Sequence, residues 1–413
     1  MISQPAKKLL VIGKVWPEPS SSAAGSRILH ILNTYQHDGY SITFASSAGK
    51  SPFSFDLNSI GIREADIPLN DSAFDTFVKN LHPDVVLFDR FTSEEQFGWR
   101  VSEACPNALR VLDTEDLHCL REGRRQALKE KATFNKNHLN NEIAKREIAS
   151  ILRCDLSIII SEFEMNLLQT HFRIAPELLQ YLPFIVSEFS DENWKTYSER
   201  EHFISIGNFL HPPNWDAVLY LKQTIWPLIR AKLPYAELHI YGAYPSLKVW
   251  QLHNEKEGFI VKGRADDALD TVSLYRVLLT PLRFGAGLKG KCLDAMCTGT
   301  PSICSVIGAE GMNGDLDWPG VIVDNPEEFA NAAVDVYQNQ EDWKSSQSRI
   351  KPMLTERFGA AHPKNLMDST NKLCEELDQH RSANFMGQML MYHTMASTKY
   401  MSKWIEEKNR RTD

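Results

Sequence analysis

Residues 280–296 read Thr-Pro-Leu-Arg-Phe-Gly-Ala-Gly-Leu-Lys-Gly-Lys-Cys-Leu-Asp-Ala-Met. An apolar run ends at Thr280. A loop with Gly285, Gly287 and Gly290 follows, and a helical pattern begins near Lys291. Glycines let a backbone approach a ligand closely. The free N–H groups and the dipole at a helix start attract an anion. Lys289 and Lys291 add two ammonium groups. This combination predicts a cradle for a diphosphate. It is not the GxxxxGK(S/T) nucleotide loop, because no Ser or Thr follows Lys291 to hold magnesium.

Such a loop works only at the end of a buried strand, and the chain has many. Leu9–Ile12, Ile42–Ala45, Val85–Phe88, Leu109–Leu112 and Leu156–Ile160 are short apolar runs separated by helical patterns. The rhythm repeats at Phe203–Ile206, Leu238–Tyr241, Phe259–Val261, Val277–Thr280, Ser302–Cys304 and Val321–Val323. Continuous apolar runs mark strands buried on both faces, as in parallel sheets covered by helices. The expectation is an α/β chain of two Rossmann-like, doubly wound domains facing a central cleft. Residues 1–186 form the first domain and 201–379 the second. Between them, Pro183 to Glu201 is rich in Ser and Glu, including Ser187 and Glu188, and reads as a linker. A helix over about Arg121–Leu152 carries many charges of both signs. Its first reading is a solvated face, and its second a basic surface for a phosphorylated or lipid-linked acceptor. The tail, about 380–413, has Met386, Met389, Leu390, His393, Ala396, Tyr400, Met401 and Trp404 at helical spacing. It is expected to dock across the first domain; peripheral membrane contact is the second reading.

With that architecture in place, the loop and its surroundings resemble the GT-B glycosyltransferases of family 4, or group 1. The residues carrying the resemblance are Phe284–Lys291, Asp294-Ala295-Met296, Gly299-Thr300-Pro301 and Ile307–Met312. Ile206–Ala217, at the opening of the second domain, adds to it. Fainter likenesses are Trp16–Pro19 with Ser20–Gly25 and Arg27, Asp113–His118, and Asp155–Ser161 with Glu164. The resemblance implies a metal-independent transfer of a sugar from a nucleotide-diphosphate sugar, with retention. It implies a glycan, lipid-linked or small-molecule acceptor.

Negative charge then grows on the departing diphosphate, where Lys289, Lys291 and the helix start would act as the catalytic cations. The donor side is expected to use Asn208, His211, Arg264, Gly285, Ala286, Gly287, Leu288, Gly290, Asp294 and Glu310. Arg264 would meet the base or a phosphate, with a surface salt bridge as its plainer reading. Glu310 would bind ribose hydroxyls or else cap the next helix. Many relatives have a Glu eight residues before the helix acid; here that position is Ala286, and the helix acid is Asp294. Donor-sugar contacts must then come from backbone N–H groups or other side chains. On the acceptor side the expected residues are Ser22, Gly25, Arg27, Asp113, Asp116 and Arg121. For Ser22, Gly25 and Arg27 the plainer reading is an ordinary turn and N-cap. His118 would bond a sugar hydroxyl or assist proton movement from the acceptor.

The remaining features set limits. The net charge of −8 excludes a general nucleic-acid binder. The start, Met1 to Lys8, lacks the apolar core of a signal peptide. Seven cysteines without a CxxC pair read as reduced thiols of a cytoplasmic protein. Asp315-Leu316-Asp317 has a DxD form but reads as a solvated loop. No cofactor or metal is expected, and the oligomeric state is open. Gly13-Lys14-Val15-Trp16 is not a dinucleotide turn, and no Gly-x-Ser-x-Gly elbow occurs. Two rival readings stand: a nucleotide-sugar epimerase or hydrolase on the same fold, and a non-catalytic nucleotide-binding or scaffold protein.

Overall fold

The computed structural model describes residues 6–186 and 189–410. Most of the expected signal-free start, linker residues Ser187 and Glu188, and the side chains of Met395 and Ala396 lie outside the described residues. The first domain holds β1 (Lys8–Gly13), β2 (Ser41–Ser46), β3 (Arg63–Asp66), β4 (Val85–Asp89), β5 (Leu109–Asp113), β6 (Leu156–Ile159) and β7 (Leu179–Tyr181). They form a 7-stranded sheet in the order β3-β2-β1-β4-β5-β6-β7. The second holds β8 (Glu201–Ile206), β9 (Leu238–Tyr241), β10 (Phe259–Gly263), β11 (Tyr275–Thr280), β12 (Ser302–Cys304) and β13 (Gly320–Ile322). These form a 6-stranded sheet in the order β10-β9-β8-β11-β12-β13. Neighbouring strands pair in parallel throughout, as at Val11–Phe44 and Leu279–Ile303.

The apolar runs explain this arrangement. Leu10, Ile12, Val86 and Phe88 enter one apolar cluster, while Leu9, Val11, Val85 and Leu87 enter another. Successive side chains thus fill both faces of one sheet, each covered by helices. The strand order reverses between β1 and β4, and again between β8 and β11. Crevices open beyond the carboxyl ends of strands at such points.

Three expectations change. The edge strands β3 and β7 carry no continuous apolar run, because an edge position does not need one. The single helix expected over 121–152 is three pieces: His118–Lys129, a 3-10 turn Lys136–Leu139, and Glu142–Arg153. Lys131 adopts φ 54°, and the Asn135 and Asn141 side chains cap the two later pieces, so the chain turns twice. The crossing back to the first domain begins earlier than residue 380. Leu366, Met367 and Leu373 of helix Ala361–Glu375 already lie in the first domain's cluster, and Tyr35 Oη lies 3.2 Å from Thr370 Oγ1.

Candidate active site in the interdomain cleft

The glycine-rich loop leaves β11 and turns through Gly285 and Gly287 into helix Gly290–Cys297. Gly287 sits at φ 63°, and a Cβ there would lie 2.8 Å from Asp116 Cβ in the first domain. A Cβ on Gly290 would collide with Ala23 Cβ, at the start of helix Ala23–His37. Both glycines therefore permit direct contact between the domains, and two helix N-termini meet at the cleft.

Lys289 does not present its ammonium to the cleft as expected. Its Nζ donates to Ala286 O at 3.1 Å and Gly287 O at 2.6 Å, and the side chain is buried. It staples the loop. Lys291 is the cation at the helix start, donating to Asn214 Oδ1 at 2.7 Å. Burial lowers its pKa to about 8, and neighbouring Lys289 adds to the effect. Asn208 donates to Ser21 O across the cleft at 3.3 Å and accepts from Leu210 N–H at 2.8 Å. His211 stands within electrostatic reach of Asp116 and Arg121 on one side and Lys289 and Lys291 on the other. Burial drives its pKa down to about 4, so it is neutral at pH 7.

Ala286 joins the apolar cluster of the first domain, alongside Leu117 and Leu120. Leu288 lies in a second-domain cluster that also takes in Ile160 and Phe184 of the first. Ala286 and Leu288 thus form an apolar seam between the domains. Asp294 lies one turn into the helix. Burial and nearby Asp267 push its pKa up to about 7. Arg264 stacks on Phe53 of the first domain at 4.5 Å and pairs with Asp266 at 3.1 Å.

Glu310 meets a residue that the sequence reading left on a solvated face. Arg124 donates to Glu310 Oε1 at 2.8 Å, to Glu310 Oε2 at 2.6 Å, and to Gly285 O at 2.9 Å. Glu164 makes a second link, its Oε1 accepting from Leu117 N–H at 2.9 Å and Gly287 N–H at 2.8 Å. Burial pushes the Glu164 pKa up to about 8, and Asp116 adds to this. Of the expected basic surface, Arg121, Arg125, Lys145 and Arg146 also pair with acids of the first domain.

The first-domain wall divides into structural and exposed parts. Ser22 caps its helix, its Oγ accepting from Gly25 N–H at 3.1 Å, as the turn reading requires. Arg27 does not line the acceptor side. It is 1% exposed, bonded to Asp113 Oδ1 at 3.0 Å and Leu182 O at 2.8 Å. Asp113, fully buried, belongs to the same structural pair. Asp116 bonds to Arg121 and lies 3.5 Å from His118 Nε2. Burial raises the Asp116 pKa, but Arg121, His118 and His211 outweigh it and hold the group ionised. Burial lowers the His118 pKa to about 4, so its imidazole is neutral and can donate or accept a hydrogen bond. Glu147, missed by sequence reading, accepts from His118 and Cys119 N–H, both at 2.9 Å, and fixes this turn.

Among the described residues one group has metal-ligand spacing: His202, Glu237 and His239. It lies at the amino ends of β8 and β9, away from the cleft. His239 Nε2 is 2.7 Å from Glu237 Oε2, and His202 Nδ1 accepts from Glu237 N–H at 3.3 Å. Asp315 and Asp317 are exposed, as a solvated loop should be.

Residues 200–339 match the family model of glycosyl transferases group 1. No curated protein matches in sequence. Among solved structures, sucrose-phosphate synthase from Thermosynechococcus elongatus is 13% identical with TM-score 0.65, covering 91% of this chain and 100% of that one. HepE of Anabaena, in complex with UDP and glucose, is 14% identical with TM-score 0.64, over 91% and 100%. A TarM mutant of S. aureus, in complex with fondaparinux, alpha-GlcNAc-glycerol and UDP, is 12% identical with TM-score 0.56. This chain covers 58% of that TarM's length, and the match takes in 73% of this chain. The group 1 glycosyl transferase match lies within the second domain, and the chain as a whole shares the two-domain GT-B fold of these structures.

Proposed function

We propose that the protein transfers a sugar from a nucleotide-diphosphate sugar to an acceptor held on the first domain, with retention and without a metal, in the cytoplasm. The observation that carries this reading is the Lys291 ammonium at the start of helix Gly290–Cys297, within electrostatic reach of the same His211 as Asp116. As the anomeric C–O bond breaks, charge builds on the diphosphate. Lys291 and the helix N-terminus stabilise that charge from preset positions. Neutral His118, next to Asp116, orients a hydroxyl on the other wall. Asp294 accepts hydrogen bonds from donor hydroxyls. Since HepE and TarM were each solved with UDP, UDP-sugars are the first donors to try.

The test is a transfer assay with a panel of UDP-, GDP- and ADP-sugars against glycan and lipid-linked acceptors, in EDTA. Product linked to acceptor, with donor turnover dependent on that acceptor, supports the reading. Equal turnover without any acceptor points to an epimerase or hydrolase. Failure of wild type to bind any nucleotide diphosphate leaves only the scaffold reading.

A further inference from the structure

We propose that the outer face of the C-terminal helix Phe385–Arg410 is a docking surface for anionic lipid headgroups. This helix of 26 residues is about 39 Å long at 1.5 Å per residue. Its inner side is pinned to the first domain. Met391 and Ser402 are buried, and Ser402 Oγ donates to Asn70 Oδ1 at 3.0 Å. Arg153 reaches Thr394 Oγ1 at 3.3 Å, Glu406 accepts from Ser72 N–H at 3.3 Å, and Lys399 bonds to Glu103. The helix cannot roll to hide its other side.

That other side is strongly apolar. Phe385, Tyr392, Tyr400, Met401 and Trp404 are between 63% and 74% exposed. Scattered exposed hydrophobics are ordinary, but a row of them along one fixed helix marks an interaction surface. No helix of the described residues is long and apolar enough to cross a membrane, so this helix would lie on one. Tyr and Trp are the side chains that settle at headgroup depth, with an apolar body and a polar edge. The cations share this side: Lys403 is exposed, Lys408 Nζ lies 5.4 Å from the Trp404 ring centre, and Arg410, paired with Glu406 at 2.8 Å, is still 63% exposed. The helix carries four cations against two acids within a chain of charge −8. Local positive charge beside exposed aromatics fits a negatively charged lipid surface.

Full-length protein is to be sedimented with phosphatidylcholine vesicles and with vesicles that also contain phosphatidylglycerol. Wild type should pellet with the anionic vesicles and far less with the neutral ones. The triple substitution Tyr392→Ser, Tyr400→Ser, Trp404→Ser should reduce binding by about tenfold or more. Lys403→Glu should weaken it and make it less sensitive to salt. All three changed residues of the triple variant are exposed, so its Tm and nucleotide binding should match wild type. The proposal fails if wild type ignores anionic vesicles or if the triple variant binds as wild type. It also fails if light scattering shows a wild-type dimer that the triple variant loses, which would make this a self-association face.

Discussion

Arg124 and Glu310 meet across the domain cleft in a two-bond pair at 2.8 and 2.6 Å, and the same guanidinium holds the carbonyl of Gly285. One side chain of the first domain thereby fixes both a candidate ribose ligand and the start of the glycine-rich loop. Removing Arg124 alone leaves a mostly buried carboxylate without its counter-charge. Arg124→Leu should destabilise the protein by about 3 kcal/mol, whereas Arg124→Leu with Glu310→Leu should recover most of that loss. Urea unfolding of the four proteins in the cycle measures this. Additive losses would show that the pair does not act as a unit.

Gly290 and Ala23 test whether the direct contact between the two helix starts belongs to the working arrangement of the domains. A methyl group at Gly290 collides with Ala23 Cβ and wedges the two helix starts apart. Small misplacements of reacting groups can cost about 100-fold in rate. Gly290→Ala should reduce sugar transfer on that order, and Ala23→Gly in the same protein should restore much of it. If Gly290→Ala transfers at the wild-type rate, the contact between these helices is irrelevant to the reaction.

Much of the fold is legible because burial on two faces demands continuous apolar runs, and Val85–Phe88 or Val277–Leu279 announce themselves. Arg63–Asp66 does not, since an edge strand needs only backbone pairing. At the site, Gly285, Gly287 and Lys291 are legible because their residue types match the chemistry of anions. Arg124 is not, as it stands among other charged residues on a helix and its partner lies 186 positions away. Glu147 and Asn214 lie in segments that the sequence singles out, but their partners are hidden for the same reason. Each acquires its meaning from a partner brought close by the tertiary fold. Lys289 shows the converse limit: its type is suitable, but its rotamer turns the ammonium onto the loop's own carbonyls.

The buried acids predict how stability varies with pH. Burial raises Glu115 and Glu164 to about 8, and Glu147 and Asp294 to about 7. Each ordinary value lies near 4, so between there and about 8 the native state binds more protons than the unfolded chain. Stability is then fully present below about pH 4 for these groups and is lost as pH rises through 7 to 8. Thermal melts should show Tm falling from pH 5 to 8.5. Glu164→Gln keeps an oxygen that can accept from Gly287 N–H but cannot ionise, so its Tm should fall less over that range. A wild-type Tm that is flat or rises there would count against these burial effects.

Lys291 should set the alkaline limit of donor binding. Its amine is held at about 8 by burial, so it is charged at pH 7 and mostly neutral at pH 9. A neutral amine cannot balance a diphosphate. The affinity for UDP should therefore fall by about tenfold between pH 7 and 9, following the loss of the proton. Lys291→Arg keeps its charge over that range, so any affinity it retains should be nearly independent of pH. Lys291→Met should bind UDP weakly at every pH. It should also melt higher than wild type near neutrality, because a group whose folded pKa is depressed destabilises the fold while it is protonated. Calorimetric titration of UDP into the three proteins at pH 7, 8 and 9 separates these outcomes. If Lys291→Arg loses affinity along the same curve as wild type, another group near the loop controls binding.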